Sequence, residues 1–282
     1  MQNLQSVLQL LSTACSAALS PDELSRVEEF RLRAGQVPTA VIGGAERRLC
    51  TQRVTCSELE RLLATAMEHS CYAVAEKLRE GFLTLPGGHR LGVCGTAAIQ
   101  NGTVISLRDI SSVCIRIARQ IPAAPDGTER WLDRPTLILG PPGSGKTTLL
   151  RDCIRLLSYK GQRVSVADER GELAGCCGGM PQMDIGSTAD VLSGCAKSAA
   201  VMMLLRTMNP QWIAVDEITA PEDMDAIAQC SYCGVKILAT AHASCAADLQ
   251  RRPLYQQLCS LGIFEKLMIL DAQKRVRLER MG

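Results

Sequence analysis

Aromatic side chains are scarce. Phe, Trp and Tyr make up 3% of the 282 residues, which leaves little material for the stacking platforms that hold single-stranded nucleic acid. Net charge is just as weak a signal, with 31 Lys and Arg against 29 Asp and Glu. A balance of +2 and a pI near 7.9 exert no strong pull on nucleic acid or anionic lipid. No run of eighteen or more apolar residues occurs, so no segment reads as a membrane span. Residues 1–19 have the spacing of an amphipathic helix and lack the basic start and apolar centre of an export signal. Histidine is rare, at three residues. The one excess is cysteine. In an unexported chain the fourteen cysteines are expected as reduced thiols, many of them small core residues. Cys176, Cys177, Cys230 and Cys233 are enough in number for a zinc site, but their spacing is not that of a zinc knuckle.

Against this unremarkable background one stretch stands out. Gly140, Pro141, Pro142, Gly143, Ser144, Gly145, Lys146, Thr147 and Thr148 fit the pattern G-x-x-x-x-G-K-[ST]. The flanks are those the pattern requires. Residues 136–139 form a short apolar run, right for a buried parallel strand, and Leu149, Leu150, Cys153, Ile154 and Leu157 recur at helical spacing. Glycines let the backbone curl until its N–H groups converge on phosphate oxygens, and the helix N-terminus adds partial positive charge. Lys146 is placed to reach β- and γ-phosphates, and the Thr147 hydroxyl to ligand Mg²⁺. The whole stretch, Gly140 to Thr148, is expected to bind a nucleoside triphosphate.

The chain divides by its grammar. Residues 1–120 read as a mixed α+β domain, with capping boxes at Ser20-Pro-Asp-Glu23 and Thr55-Cys-Ser-Glu58 opening helices. Strands are expected over 29–33, 37–42, 82–85, 89–99, 103–107 and 113–117, with Asn101-Gly102 as a hairpin turn. A further helix is expected over 72–79. Residues 121–135 read as a linker rich in turn formers. Over 136–282 strands and helices alternate: strands at 136–139, 163–167, 211–215 and 235–239, helices at 146–158, 188–206, 222–232 and 244–257, then a terminal β pair. That alternation predicts a doubly wound α/β domain.

Three other strand ends carry polar groups. Trp212-Ile-Ala-Val-Asp-Glu217 is an apolar strand closing in two carboxylates, which places Asp216 to hold Mg²⁺ and Glu217 to polarise an attacking water. Lys236-Ile-Leu-Ala-Thr-Ala-His242 ends in Thr240 and His242, where a polar side chain can sense the γ-phosphate. Val164-Ser-Val-Ala-Asp-Glu-Arg-Gly-Glu172 ends in Asp168 and Glu169, followed by Arg170 and Glu172. These acids read equally well as a solvated loop or as a second group orienting water or metal.

These motifs together resemble the type II/IV secretion ATPases. Residues 200–217 and 236–242 are similar to that superfamily's Walker B and histidine boxes, and 168–172 sit where it has an aspartate box. Phe30-Arg-Leu-Arg-Ala-Gly35, Gly88-His-Arg-Leu-Gly-Val-Cys-Gly95, Leu107-Arg-Asp-Ile-Ser-Ser112 with Ile115-Arg-Ile-Ala-Arg119, and Asp168-Glu-Arg-Gly-Glu-Leu-Ala-Gly175 resemble the stage III sporulation protein AA family over nearly the whole chain. The resemblance implies a RecA-like P-loop NTPase domain preceded by the smaller α+β domain. It also implies ATP as the nucleotide and a homo-oligomeric ring, a hexamer, working in endospore formation. That ring would sit in the mother-cell cytoplasm, peripheral to the membrane, and reach it through channel proteins of the sporulation complex. The arginines of the first domain, Arg90, Arg108, Arg116 and Arg119, then become candidates for reaching phosphates across a subunit boundary, with Arg108 and Arg116 placed first. Two departures from the superfamily pattern stand beside this. The chain has no tetracysteine zinc subdomain, and His242 is followed by Ala243-Ser244-Cys245 instead of a fuller polar box.

The expectation is therefore an Mg²⁺-dependent ATPase driving a secretion-like channel complex. Its rivals are a structural ring that nucleotide binding merely licenses to assemble, and a nucleic-acid motor. Near-neutral charge and few aromatics weigh against the last.

Overall fold

In the computed structural model, residues 4–68, 81–100 and 102–281 are described. The chain forms two compact units, Met1–Arg119 with Gly175–Gln182, and Gln120–Ala174 with Met183–Gly282. Residues 175–182 thus leave the stretch read as the second domain, and the stretch read as a linker joins the second unit. The helix expected over 72–79 lies outside the described residues.

The first unit is an antiparallel sheet with helices packed on it. Its elements are α1 (Gln5–Leu10), α2 (Thr13–Ala17), α3 (Pro21–Arg26), β1 (Val27–Arg33), β2 (Thr39–Ile42), β3 (Ala45–Arg48), α4 (Cys56–Glu68), β4 (Phe82–Thr84), β5 (Arg90–Gln100) and β6 (Thr103–Arg116). The sheet order is β3-β2-β1-β6-β5-β4. The capping box at Ser20 forms, with the Ser20 hydroxyl accepting from Glu23 N and Glu23 accepting from Ser20 N. Thr55 and Glu58 exchange bonds in the same way. The expected first helix is two, because the Ser12 side chain accepts from Cys15 N and starts a new turn. The strands expected at 103–107 and 113–117 are one strand, bent where Gly95 opposes Arg108–Ile110. A Cβ on Gly95 would lie 2.4 Å from Arg108 O, so only glycine allows the approach. β3, not expected, returns from β2 through Gly43 and Gly44, at φ +58° and +79°. Phe30, Leu59, Leu83, Leu91 and Ile115 are fully buried and anchor this unit's core.

The second unit is the doubly wound sheet. It comprises α5 (Thr128–Trp131), β7 (Thr136–Leu139), α6 (Lys146–Tyr159), β8 (Val164–Asp168), β9 (Ala189–Ser193), α7 (Lys197–Thr207), β10 (Trp212–Val215), α8 (Pro221–Tyr232), β11 (Lys236–Ala241), α9 (Ala246–Leu249), α10 (Pro253–Ser260), β12 (Lys266–Leu270) and β13 (Val276–Arg280). The sheet order is β13-β12-β7-β11-β10-β8-β9, parallel except for β13. Strands β7, β8, β10 and β12 are buried along their full length, which explains why they are mainly apolar and lack a regular alternation of apolar and polar residues. Two helices expected from the sequence divide. Residues 188–206 open with an edge strand, β9, paired in parallel with β8, and Gly194 at φ +81° separates it from α7. Residues 244–257 break into α9 and α10, the second begun by Pro253 at its first turn. Because β7, β8, β10 and β11 run parallel, their C-terminal ends share one edge of the sheet. The loop after β7 and the polar residues closing β8, β10 and β11 therefore meet there.

Candidate functional site

The loop from Gly140 to Gly145 leaves β7 and enters α6. Its glycines are each required by geometry. Gly143 and Gly145 have φ of +75° and +97°, the left-handed region that L side chains disfavour. Gly140 is pressed from the side: a Cβ there would lie 2.4 Å from Ser144 Oγ and 3.2 Å from Leu270 O. Ser144 Oγ is itself buried and has no hydrogen-bond partner among the described residues. Gly145 caps α6 without a side-chain acceptor, so the first-turn N–H groups are left for an anion.

Lys146 is 5% exposed. Its Nζ donates to Pro141 O at 3.0 Å and lies 3.1 Å from His242 Nδ1. Burial pushes its pKa below the ordinary lysine value, while the charges of Glu217 and Asp216 pull it back up. His242 Nε2 is 3.0 Å from Glu217 Oε1. An ammonium only donates and a carboxylate only accepts, so the neutral imidazole with its proton on Nε2 satisfies both neighbours. Thr147 Oγ1 donates to Asp216 Oδ2 at 2.8 Å, and Thr240 Oγ1 donates to Asp216 Oδ1 at 2.6 Å. Glu217 N donates to Thr240 Oγ1 at 2.7 Å. Lys146, Thr147, Asp216, Glu217, Thr240 and His242 thus form one hydrogen-bonded network from three strand ends.

A cavity of about 440 Å³ opens over the loop, lined by Pro142, Gly143, Gly145, Lys146, Thr147, Thr148, Glu217, His242 and Lys274. Converging N–H groups, a buried ammonium and a preformed loop suit a triphosphate. Thr147 and Asp216 bring a hydroxyl and a carboxylate to one point, the oxygen donors a hard cation such as Mg²⁺ takes.

The acidic stretch after β8 divides its labour. The Asp168 carboxylate accepts from Glu172 N, Leu173 N and Ala174 N at 2.9 to 3.0 Å, so it organises its own loop. Arg151 of α6 holds the same loop by donating to Leu173 O and Glu172 O. Arg170 Nη1 comes within 3.4 Å of Glu217 Oε2.

The four arginines lie in the first unit. Arg119 donates to Leu24 O and Val27 O, Arg90 stacks on the Phe82 ring, and Arg116 pairs with Glu29 at 3.1 Å. Arg108 is exposed on β6. Among the described residues no group of three or more His, Cys, Asp or Glu is placed to hold a metal ion. Burial pushes the Cys230 thiol up to about 12, with the neighbouring Cys233 adding to the rise.

Three contributors lack any signal of spacing in the sequence. Lys274, in the turn after β12, lines the cavity from a left-handed conformation at φ +63°. Tyr255 of α10, 4% exposed, accepts from His242 N at 3.1 Å and donates to Ile218 O at 3.4 Å. Lys197 donates to the backbone carbonyl of Glu217 at 2.6 Å.

The chain is similar to known proteins in sequence and in fold. The sequence profile described as "Sporulation stage III, protein AA" fits residues 1–278. The stage III sporulation protein AA of Bacillus subtilis (strain 168) is 37% identical over 259 residues, covering 88% of this chain and 83% of that one. Among solved structures, the ATPase DotB of Legionella pneumophila superposes with a TM-score of 0.60 at 19% identity, over 92% of this chain and 76% of that one. The pilus retraction motor PilT, solved with bound ADP, gives 0.60 at 17% identity over 92% and 80%. The fold is thus the one expected, a RecA-like α/β domain preceded by an α+β domain. The chain belongs to the sporulation stage III protein AA family.

Proposed function

We propose that this protein is an Mg²⁺-dependent ATPase, the motor of a secretion-like channel complex acting in endospore formation. One observation carries the reading. A single network links the phosphate-loop lysine to the strand-end glutamate through His242, and through Thr240 it reaches the oxygen pair of Thr147 and Asp216. Lys146 and the loop amides hold the β- and γ-phosphates. Thr147 and Asp216 hold Mg²⁺, which when bound supplies positive charge against the phosphate oxygens. Glu217 polarises the attacking water, and Thr240 and His242 report the γ-phosphate to both acids. His242 is placed to exchange partners, since a γ-phosphate competes with it for Lys146.

Family membership supports the sporulation role, and the likeness to DotB and PilT supports a nucleotide-driven motor. On this reading the chain works as a homo-oligomeric ring, a hexamer, on the mother-cell side of the membrane. Arg108 or Arg116 of one subunit completes its neighbour's site. Among the described residues no helix is long and apolar enough to cross a membrane, so contact with the channel runs through its proteins.

Phosphate release by Glu217→Gln tests the hydrolytic role. A fall of about 10²- to 10⁴-fold is expected, with nucleotide binding retained. Undiminished turnover would remove Glu217 from the chemistry. A wild-type chain that binds ATP without turning it over would favour the ring licensed by binding alone.

A further inference from the structure

Asp216 and Glu217 are adjacent, yet both serve the same site. Successive side chains at a strand end point to opposite faces, so the second acid needs a turned backbone to face the cavity. Glu217 has it, with φ of +52°. An L residue other than Gly, Asn or Asp rarely holds the left-handed region, and does so only where its surroundings fix it. The amide side is fixed by Thr240, whose hydroxyl accepts from Glu217 N at 2.7 Å. The following peptide is held at its N–H by Thr240 O, which accepts from Ile218 N, and at its carbonyl by Lys197.

Lys197 opens α7 and is 8% exposed. Its Nζ donates to Glu217 O at 2.6 Å and to Thr219 Oγ1 at 3.3 Å. It pairs with Glu169 Oε2 at 3.4 Å and Asp223 Oδ2 at 3.6 Å. Asp223 in turn accepts from Thr219 N and Ala220 N at 3.1 and 3.2 Å. One buried ammonium therefore gathers the end of β8, the loop after β10 and the first turn of α8. Its bond to Glu217 O is charge-assisted and short, and it grips the carbonyl of the peptide whose N–H, on Ile218, donates to Thr240 O at 3.0 Å.

We propose that Lys197 is a positioning residue for hydrolysis. It holds the Glu217 backbone in the left-handed turn that aims the carboxylate at the phosphate cavity. It touches neither nucleotide nor water itself. This inference rests on the hydrolytic reading of Glu217.

The test compares wild type, Glu217→Gln, Lys197→Met and the double variant Lys197→Met/Asp223→Asn. The last removes the carboxylate charge stranded by loss of the lysine, while the Asn oxygen still accepts from the two amides. Three quantities are read: kcat for ATP, Kd for a fluorescent ATP analogue, and amide hydrogen exchange over residues 216–220. The expected result in both Lys197 variants is a kcat lower by about 10²-fold, as misplacement of a reacting group produces, with Kd unchanged and exchange over 216–220 raised. A wild-type kcat, a kcat lost only in step with Kd, or unchanged exchange each overturns the proposal. If wild type has no turnover, the hydrolytic reading falls and this inference with it. If Glu217→Gln abolishes a turnover that Lys197→Met keeps, only the role of Lys197 falls.

Discussion

Lys146 is an ammonium held where burial disfavours one. Its pKa lies below the ordinary 10.5, with burial the leading cause and the Glu217 and Asp216 charges opposing it. A triphosphate brings further negative charge to the amine and raises its pKa again. The sign of the coupling follows. Between the free and the bound pKa the free chain has lost a proton that the complex holds, so binding takes one up. Affinity is full below the free-chain value and falls as pH rises through it. Titration calorimetry of ATP binding in two buffers of different ionisation heat reads this directly. Proton uptake close to zero at neutral pH and growing toward alkaline pH is expected. No uptake at any pH would show that the lysine keeps its proton throughout.

At the level of elements, the second unit begins before β7. Asp152 of α6 accepts from Ala123 N and Ala124 N at 2.8 and 2.9 Å and pairs with Arg155 at 2.7 Å. Burial raises its pKa, but the two backbone amides and Arg155 outweigh it and leave the carboxyl below 3.8. A depressed folded value means stability that is complete above the unfolded value and drains away as pH falls through the folded one. Asp152→Asn is expected to cost about 2 kcal/mol at pH 7, with the deficit in urea unfolding narrowing below 3.8. An equal deficit at both pH values would assign the loss to packing. Residues 121–135 read as a linker because Pro, Gly and Asp mark turns, whereas their anchor lies one helix later. The same divide runs through the rest of the fold. β7, the loop and α6 were legible because strand, glycines and helix are contiguous, and β10 and β11 because the cores of buried parallel strands are apolar. β9 was not. Ala189, Val191 and Leu192 fit a helical stripe, and only pairing with β8, from 164–168, makes them an edge strand. In the site, Lys146, Thr147, Asp216 and Thr240 were legible as loop or strand-end residues. Lys197, Tyr255 and Lys274 reach it from separate segments, and no spacing in the chain marks such a meeting.

For the whole molecule the question is whether one chain makes a complete site. The second unit supplies the loop, the pair proposed to hold Mg²⁺ and both acids, but its one described arginine on Glu217, Arg170, is exposed and 3.4 Å away. The first unit offers arginines of unequal freedom. Arg119 is committed to two backbone carbonyls and Arg116 to Glu29, whereas Arg108 is exposed and has no ion-pair partner among the described residues. Arg108 is therefore the strongest of the four to act in a neighbour's site, where a guanidinium stabilises charge on the γ-phosphate. Complementation tests this. Lys146→Ala lacks a working loop but keeps its arginines, and Arg108→Ala keeps its loop. Each alone is expected to be inactive in ATP hydrolysis. Mixed and reassembled with ATP and Mg²⁺, they form some junctions with an intact loop from one subunit and Arg108 from the other. Turnover should reappear in the mixture, in a species that elutes as an oligomer. Mixed oligomers that stay inactive would confine the arginine to its own chain, and a strictly monomeric wild type with full activity would end the shared-site reading altogether.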